Sequence, residues 1–188
     1  MGNKKKRRKT AGFTAVLILA LIVICVRFIA VPKILYPLKY EAYVEKYSSM
    51  YGLEEELIYA VIKTESGFRE NAVSHKGAIG LMQIMESTAD WIVEGAGIDV
   101  EKEDYWEPEI NIQMGCWYLN YLKNVFKKED LVLAAYNAGM GNVMNWLKDE
   151  NYSADGFTLD EIPFKETKEY VRRVEMAKKA YKRLYFED

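Results

Sequence analysis

Histidine and cysteine are scarce in this sequence of 188 residues, which contains one histidine and two cysteines. A zinc site usually takes several His or Cys ligands, so the composition argues against a metal-dependent hydrolase. A Cys–His peptidase would have to pair Cys116 with His75, because Cys25 lies in an apolar segment, and neither residue stands in a nucleophile motif. We therefore expect two free thiols, with Cys116 as a small buried side chain, and neither a metal ion nor a cofactor.

Basic residues are also scarce beyond the first 31 positions. Seven of the 26 lysines and arginines lie in residues 1–31, which hold no acidic residue, so residues 32–188 carry 19 basic side chains against 28 acidic ones. Proteins that bind nucleic acid through its phosphates present a basic surface. The acidic balance of residues 32–188 therefore argues against nucleic acid as a partner.

The N-terminus has the pattern of a membrane anchor. A basic tail at residues 1–10 precedes an almost wholly apolar segment at residues 11–31, and about 20 helical residues suffice to span a bilayer core. The basic residues predict a cytoplasmic tail on a single-pass anchor, with the rest of the chain outside the cytoplasm. The alternatives are a cleaved signal peptide, although no small-residue cleavage motif follows the apolar run, and a nucleic-acid-binding tail. Residues 32–39 then form a connector to a domain at residues 40–188.

The domain itself has the pattern of a helical protein. Apolar residues recur at helical spacing, as in Leu53, Leu57, Ala60 and Val61, and no segment shows the alternation of a strand. The acidic segment at residues 99–107 is expected to be a loop. The patterns predict helices at residues 40–51, 54–65, 86–94, 108–126, 130–138, 141–147 and 167–185.

Glu65 stands out because it ends an apolar helix. The C-terminal end of a helix and an apolar environment both disfavour a carboxylate, so the pKa of Glu65 should be raised toward the range that suits a general acid at neutral pH. A solvated glutamate at a helix end is the commoner situation, and spacing alone does not decide between the two.

Four short segments resemble the motifs of one family, the lytic transglycosylase domain of the soluble type (SLT), whose fold is similar to that of goose-type lysozyme. The resemblance covers roughly residues 40–185. It departs from the family at Glu86 and Met140, where proline is frequent. The matching segments are Glu65-Ser66-Gly67-Phe68 with Ala72 and Ser74, Gly77 with Gly80 to Met85, Ala135 to Gly139, and Ile162-Pro163-Phe164 with Glu166-Thr167 and Tyr170-Val171.

The resemblance implies a mostly helical, lysozyme-like α+β fold with a groove for a glycan strand. The family cleaves the β-1,4 bond between N-acetylmuramic acid and N-acetylglucosamine in peptidoglycan. Glu65 would be the sole catalytic carboxylate, first as the acid and then as the base that lets the C6 hydroxyl close a 1,6-anhydro ring. A glycosidase with two carboxylates needs a second placed acid, which no other motif supplies.

The resemblance also implies substrate-binding roles around the second motif. Ser74 and Gln83 match polar residues that hold the N-acetyl group and the sugar near the acid, and Met85 matches a position that lines the groove. The neighbouring Leu81, Met82 and Ile84 are better interpreted as core residues.

The third and fourth motifs imply the remaining site residues. Tyr136 and Asn137 match the groove wall beside the catalytic acid, and Glu166 and Tyr170 match a polar pair across the cleft. The tryptophans are candidates for stacking on sugars, although core packing is the default interpretation for such large side chains. The four are Trp91, Trp106, Trp117 and Trp146.

Two other functions stay open. A muramidase that uses water would keep the same acid and differ only in its product. A peptidoglycan-binding scaffold without activity is the other alternative, and the complete set of Glu65, Ser74 and Gln83 argues against it. The biological role and any partners in the cell wall or in a secretion machine do not follow from the sequence.

Overall fold

The computed structural model describes residues 19–20 and 31–187 of the chain, which divides into two compact units, Met1–Pro37 and Leu38–Asp188. In the first unit, helix α1 spans Val31–Leu35. The predicted basic tail and anchor lie outside the described residues, apart from positions 19, 20 and 31. Over the residues that are described, no helix has both the length and the apolar character needed to cross a membrane.

The second unit is mostly helical, and its helices lie within three residues of the predicted ends except at the C-terminus. There, a π-helical turn at Lys182–Phe186 follows the last α-helix. A 3-10 turn at Lys102–Trp106 replaces part of the loop expected at residues 99–107. The helices are α2 (Glu41–Tyr51), α3 (Glu55–Glu65), α4 (Glu86–Ala96), α5 (Pro108–Val125), α6 (Glu129–Ala138), α7 (Met140–Leu147) and α8 (Lys165–Tyr181).

No strand pattern is visible in the sequence, but the second unit contains two short strands, in keeping with the α+β fold that the resemblance implies. Strand β1 (Ala78–Ile79) pairs antiparallel with β2 (Ile84–Met85), and Val73 adds an isolated bridge to Ile79. Strands of two residues are too short to show an alternating pattern. Their pairing folds the segment after Glu65 into a small hairpin.

Helix α3 lies at the centre of the unit. Every side chain from Glu56 to Ile62 is buried, as expected for a helix that is apolar on most of its circumference. Its most extensive packing is against α8. It ends where Gly67 adopts a left-handed backbone (φ 60°), a common helix stop, so Glu65 is the last residue of the helix, as the sequence predicts.

The tryptophans do not all follow the expectation of core packing. Trp146 is buried at 7% exposure, whereas Trp91 is 41% exposed. Trp106 and Trp117 are half-buried. Cys116 is fully buried and carries a free thiol, in agreement with its interpretation as a core side chain.

Candidate active site

Glu65 has the electrostatic character of a general acid. The residue is only partly exposed, and burial raises the pKa of its carboxyl from 4.5 to about 7, despite the opposing effects of Tyr170 and Arg173. Glu166 adds a smaller upward contribution to the same pKa through like-charge repulsion. A carboxyl whose pKa lies near neutral pH can donate a proton and then take one back, which suits an acid that later acts as a base.

Two tyrosines accompany Glu65, the buried Tyr170 and the partly exposed Tyr136. Burial, reinforced by the charge of Glu65, raises the pKa of both Tyr136 and Tyr170 well above the usual value. The Tyr136 hydroxyl donates a hydrogen bond to the carbonyl of Met82 at 2.9 Å. The Tyr170 hydroxyl faces Glu65 closely enough to lower its pKa, yet among the described residues it is a buried polar atom without a partner at hydrogen-bond distance. The Tyr170 hydroxyl therefore acts on the Glu65 carboxyl from a buried position.

The loop after Glu65 and the turn of the hairpin each hold one residue in an unusual backbone conformation. Phe68 (φ 65°) and Gln83 (φ 52°) both adopt the left-handed region, which is costly for residues other than glycine and is concentrated at functional sites. The Gln83 side-chain amide donates to the carbonyls of Ala72 at 3.0 Å and Gly80 at 2.8 Å. In the structure, Gln83 thus braces the loop through its amide nitrogen.

Ser74 closes the turn that leads into β1. Its hydroxyl accepts hydrogen bonds from the backbone nitrogens of Ala78 at 3.0 Å and Lys76 at 3.3 Å. Met85 ends β2 with 40% of its surface exposed. Ser74 therefore has a structural part in the hairpin, and Met85 offers an apolar surface beside it.

The start of α8 is tied to two other parts of the site. The buried Thr167 hydroxyl donates to the side-chain oxygen of Asn137 at 2.8 Å, which joins α8 to the end of α6. Next to it, Glu166 forms an exposed ion pair with Lys76 of the Ser74 turn at 3.5 Å. Glu166 therefore contacts the hairpin loop while its charge also acts on Glu65.

Asn111 on α5 supports the site and was missed by sequence reasoning. It is fully buried, its side-chain oxygen accepts from the nitrogen of Met82 at 2.8 Å, and its amide donates to the carbonyls of Ile79 and Tyr105. A side chain at Gly80 would come within 2.3 Å of the Asn111 amide, so glycine is required there. The available signal was a polar residue between apolar neighbours in a buried helix, since such groups are hydrogen-bonded.

The structure thus links most of the predicted site residues. Tyr136, Tyr170 and Glu166 all act on the Glu65 carboxyl or are acted on by it. Gln83 follows Met82, whose carbonyl accepts a hydrogen bond from Tyr136, and Asn137 accepts one from Thr167, which follows Glu166. Ser74 accepts one from Lys76, which pairs with Glu166. Met85 is placed by the hairpin alone. In residues 19–20 and 31–187, no group of three or more His, Cys, Asp or Glu side chains is arranged to hold a metal ion.

Comparisons with known proteins agree with this arrangement. Residues 42–156 match the Transglycosylase SLT domain family. A curated relative, membrane-bound lytic murein transglycosylase C of Pectobacterium atrosepticum, is 33% identical over an alignment covering 77% of this chain and 47% of the relative. The chain therefore belongs to the SLT transglycosylase family.

Solved structures place the fold in the same family. The 70 kDa soluble lytic transglycosylase of Escherichia coli superposes with a TM-score of 0.73 at 32% identity, over 81% of this chain and 25% of that one. An inactive glutamate-to-glutamine mutant of lytic transglycosylase Slt from Pseudomonas aeruginosa gives 0.70 at 34% identity, over 79% and 24%. The chain thus has the mostly helical, lysozyme-like SLT fold, and it spans about half the length of the curated relatives it matches and a quarter of the solved ones.

Proposed function

We propose that this chain is a peptidoglycan lytic transglycosylase that cleaves the β-1,4 bond between N-acetylmuramic acid and N-acetylglucosamine, with Glu65 as its catalytic acid and base. The observation that carries the proposal is the raised pKa of Glu65, at about 7, inside a family whose relatives are named for this activity. The inactive glutamate-to-glutamine mutant among the solved relatives also supports an essential glutamate.

The reaction follows from one carboxyl group that changes state twice. Protonated Glu65 donates its proton to the glycosidic oxygen, the bond from that oxygen to C1 of the muramic sugar breaks, and the N-acetylglucosamine leaves with a free hydroxyl. The N-acetyl group of the muramic sugar stabilises the positive charge at C1. Glu65, now a carboxylate, removes the proton of the C6 hydroxyl, whose oxygen bonds to C1 and gives a 1,6-anhydro end without water.

The surrounding residues serve this sequence of steps. The Tyr170 hydroxyl can stabilise the carboxylate form of Glu65, or hydrogen-bond the sugar once the substrate displaces the groups that cover it. Gln83 and Ser74 shape the loop that receives the N-acetyl group, while Met85, Tyr136 and Asn137 line the groove. Hydrogen-bond donors that are held in place before the reaction stabilise charge where it develops in the transition state.

Glu166 is the alternative second carboxylate and must be tested beside Glu65. Its side chain is 66% exposed and paired with Lys76, so it lacks the buried environment that Glu65 has. We assign it to substrate binding. A hydrolase with two carboxylates, which would use water as goose-type lysozyme does, would instead depend on both.

The chain's place in the cell is part of the same proposal. We infer that residues 11–31 anchor it in the cytoplasmic membrane by a single span, with residues 1–10 inside and the domain outside. The composition of these residues supports this proposal, as does the membrane-bound relative. Protease treatment of intact spheroplasts should digest the domain, and protection of the domain would contradict this orientation.

Mass spectrometry of wall digests tests the activity. Purified peptidoglycan treated with the protein should yield muropeptides ending in 1,6-anhydro-N-acetylmuramic acid. Glu65→Gln should give no products, while Glu166→Gln, the matched control, should give the same anhydro products at a reduced rate. Reducing ends would mean hydrolysis by water, and full activity of Glu65→Gln would refute the assignment of the acid.

A further inference from the structure

Four aromatic rings of α4 and α5 form a cluster that the proposed mechanism does not use. Trp91 on α4 packs edge to face against Trp117 at 5.2 Å and Tyr121 at 4.9 Å between ring centroids, and it meets Tyr118 at 6.1 Å. Trp117 and Tyr121 stack nearly parallel at 5.6 Å and 14°. These four residues, Trp91, Trp117, Tyr118 and Tyr121, are called the aromatic platform below.

The platform is continuous with the candidate active site. Tyr118 contacts Tyr136 with ring centroids 5.4 Å apart, and Tyr136 is the residue whose pKa is raised in part by the charge of Glu65. Trp91 is therefore two ring-to-ring steps from a side chain beside the catalytic carboxyl. Met85, the exposed end of β2, also directly precedes the helix that carries Trp91.

The platform is preformed, and part of it faces solvent. Trp91 keeps 41% of its surface exposed despite its three aromatic neighbours, whereas a tryptophan that serves only the core is covered, as Trp146 is. The Trp117 ring lies so close to α4 that a side chain at Gly95 would come within 3.2 Å of it. Glycine at this position therefore lets the rings pack between the helices.

Sugar rings are the chemistry that suits this surface. The rings of Trp and Tyr combine a broad apolar face with a polar tip, which matches a pyranose with its apolar C–H face and hydroxyl edge. Because the aromatic platform is continuous with the candidate active site, we infer that it is a glycan-binding subsite. It stacks a sugar of the same strand that Glu65 cleaves, away from the scissile bond. The inference rests on the proposed function, because that function supplies the strand.

Binding to the inactive Glu65→Gln protein tests the platform without turnover. The probes are peptide-free glycan strands, prepared by removing the stem peptides and sorted by length, and the single N-acetylglucosamine–N-acetylmuramic acid disaccharide. In the Glu65→Gln background, Trp91→Leu should weaken the binding of long strands about tenfold, a typical size for an aromatic contact, and leave the disaccharide unchanged. Trp91→Phe should retain most of the affinity, because it restores a ring.

Phe157→Leu is the matched control, since Phe157 is 79% exposed in a loop outside the platform and its loss should change no affinity. A folded Trp91→Leu protein that binds long strands as tightly as its parent would overturn the inference. Should that variant fail to fold, the indole NMR signal of Trp91 in the Glu65→Gln protein decides: it must shift with long strands, and an unmoved signal overturns the inference. Absence of any glycan binding by the Glu65→Gln parent would instead refute the proposed function, and the platform with it.

Discussion

Replacing Glu65 by glutamine should stabilise the protein at alkaline pH. A carboxyl with a pKa of 4.5 in the unfolded chain and about 7 in the folded one releases its proton from the unfolded state first as the pH rises. The folded state is therefore penalised progressively between pH 4.5 and pH 7, and fully above that range. At about 1.4 kcal/mol per pKa unit, the penalty that Glu65→Gln removes is about 3 kcal/mol.

Urea unfolding at pH 4 and pH 8, followed by tryptophan fluorescence, measures this effect. All four tryptophans lie between Trp91 and Trp146, so the signal reports on the domain alone. The quantity that matters is the free energy of unfolding of Glu65→Gln minus that of the wild type. It should be about 3 kcal/mol more positive at pH 8 than at pH 4.

Comparing the two proteins at each pH cancels the titrating groups that do not interact with Glu65. The exposed Glu150 offers a control, because Glu150→Gln removes a carboxyl that water solvates in both states and should show no such difference. If the Glu65→Gln difference were equal at both pH values, the carboxyl would not be disfavoured by burial, and the argument for a general acid would lose its basis.

The remaining predictions concern the groups around Glu65. Arg173 lowers the pKa of Glu65 and Glu166 raises it. The alkaline limb of the kcat/KM profile on peptidoglycan should therefore move to higher pH in Arg173→Gln and to lower pH in Glu166→Gln. A shift of both limbs in the same direction would contradict this. Tyr170→Phe should leave thermal stability unchanged or raise it, because the buried hydroxyl lacks a partner, while turnover falls; a large loss of stability would show that the hydroxyl is satisfied. Asn111→Ala should lower the free energy of unfolding by about 2–4 kcal/mol, because it leaves buried backbone groups of the hairpin unpaired, and a loss below 1 kcal/mol in urea unfolding would refute that.

Local patterns were enough to predict the helices. Their apolar spacing and stops are encoded within each segment, so the end of α3 at Glu65 and the burial of Leu81 and Met82 followed from the sequence. The two-residue strands could not be predicted, because they depend on pairing rather than on alternation. The exposure of Trp91 was also missed, since it depends on how α4 meets α5.

The raised pKa of Glu65 also has one cause that local sequence patterns predict and others that they do not. Burial of the carboxyl could be anticipated from the apolar helix before it, and burial is the largest cause of its raised pKa. The contributions of Glu166, Tyr170 and Arg173 to this pKa could not be anticipated from local patterns, because these residues lie about 100 positions further along the chain. Only the packing of α8 against α3 brings them to the carboxyl.

The unfavourable features of the domain are concentrated where the chemistry is proposed. Glu65 resists ionisation, the Tyr170 hydroxyl is buried without a partner, and Phe68 and Gln83 hold left-handed backbones. Each of these costs stability, of order 1–3 kcal/mol. The largely buried α3 and its contact with α8 offset them, so the arrangement persists because the helices around it are stable. If a glycan satisfies the Tyr170 donor, which is one of the two roles proposed for it, ligand binding should recover part of this cost. The Glu65→Gln protein should then gain more thermal stability from added glycan than the Glu65→Gln, Tyr170→Phe double variant, and equal gains would place the hydroxyl outside the binding site.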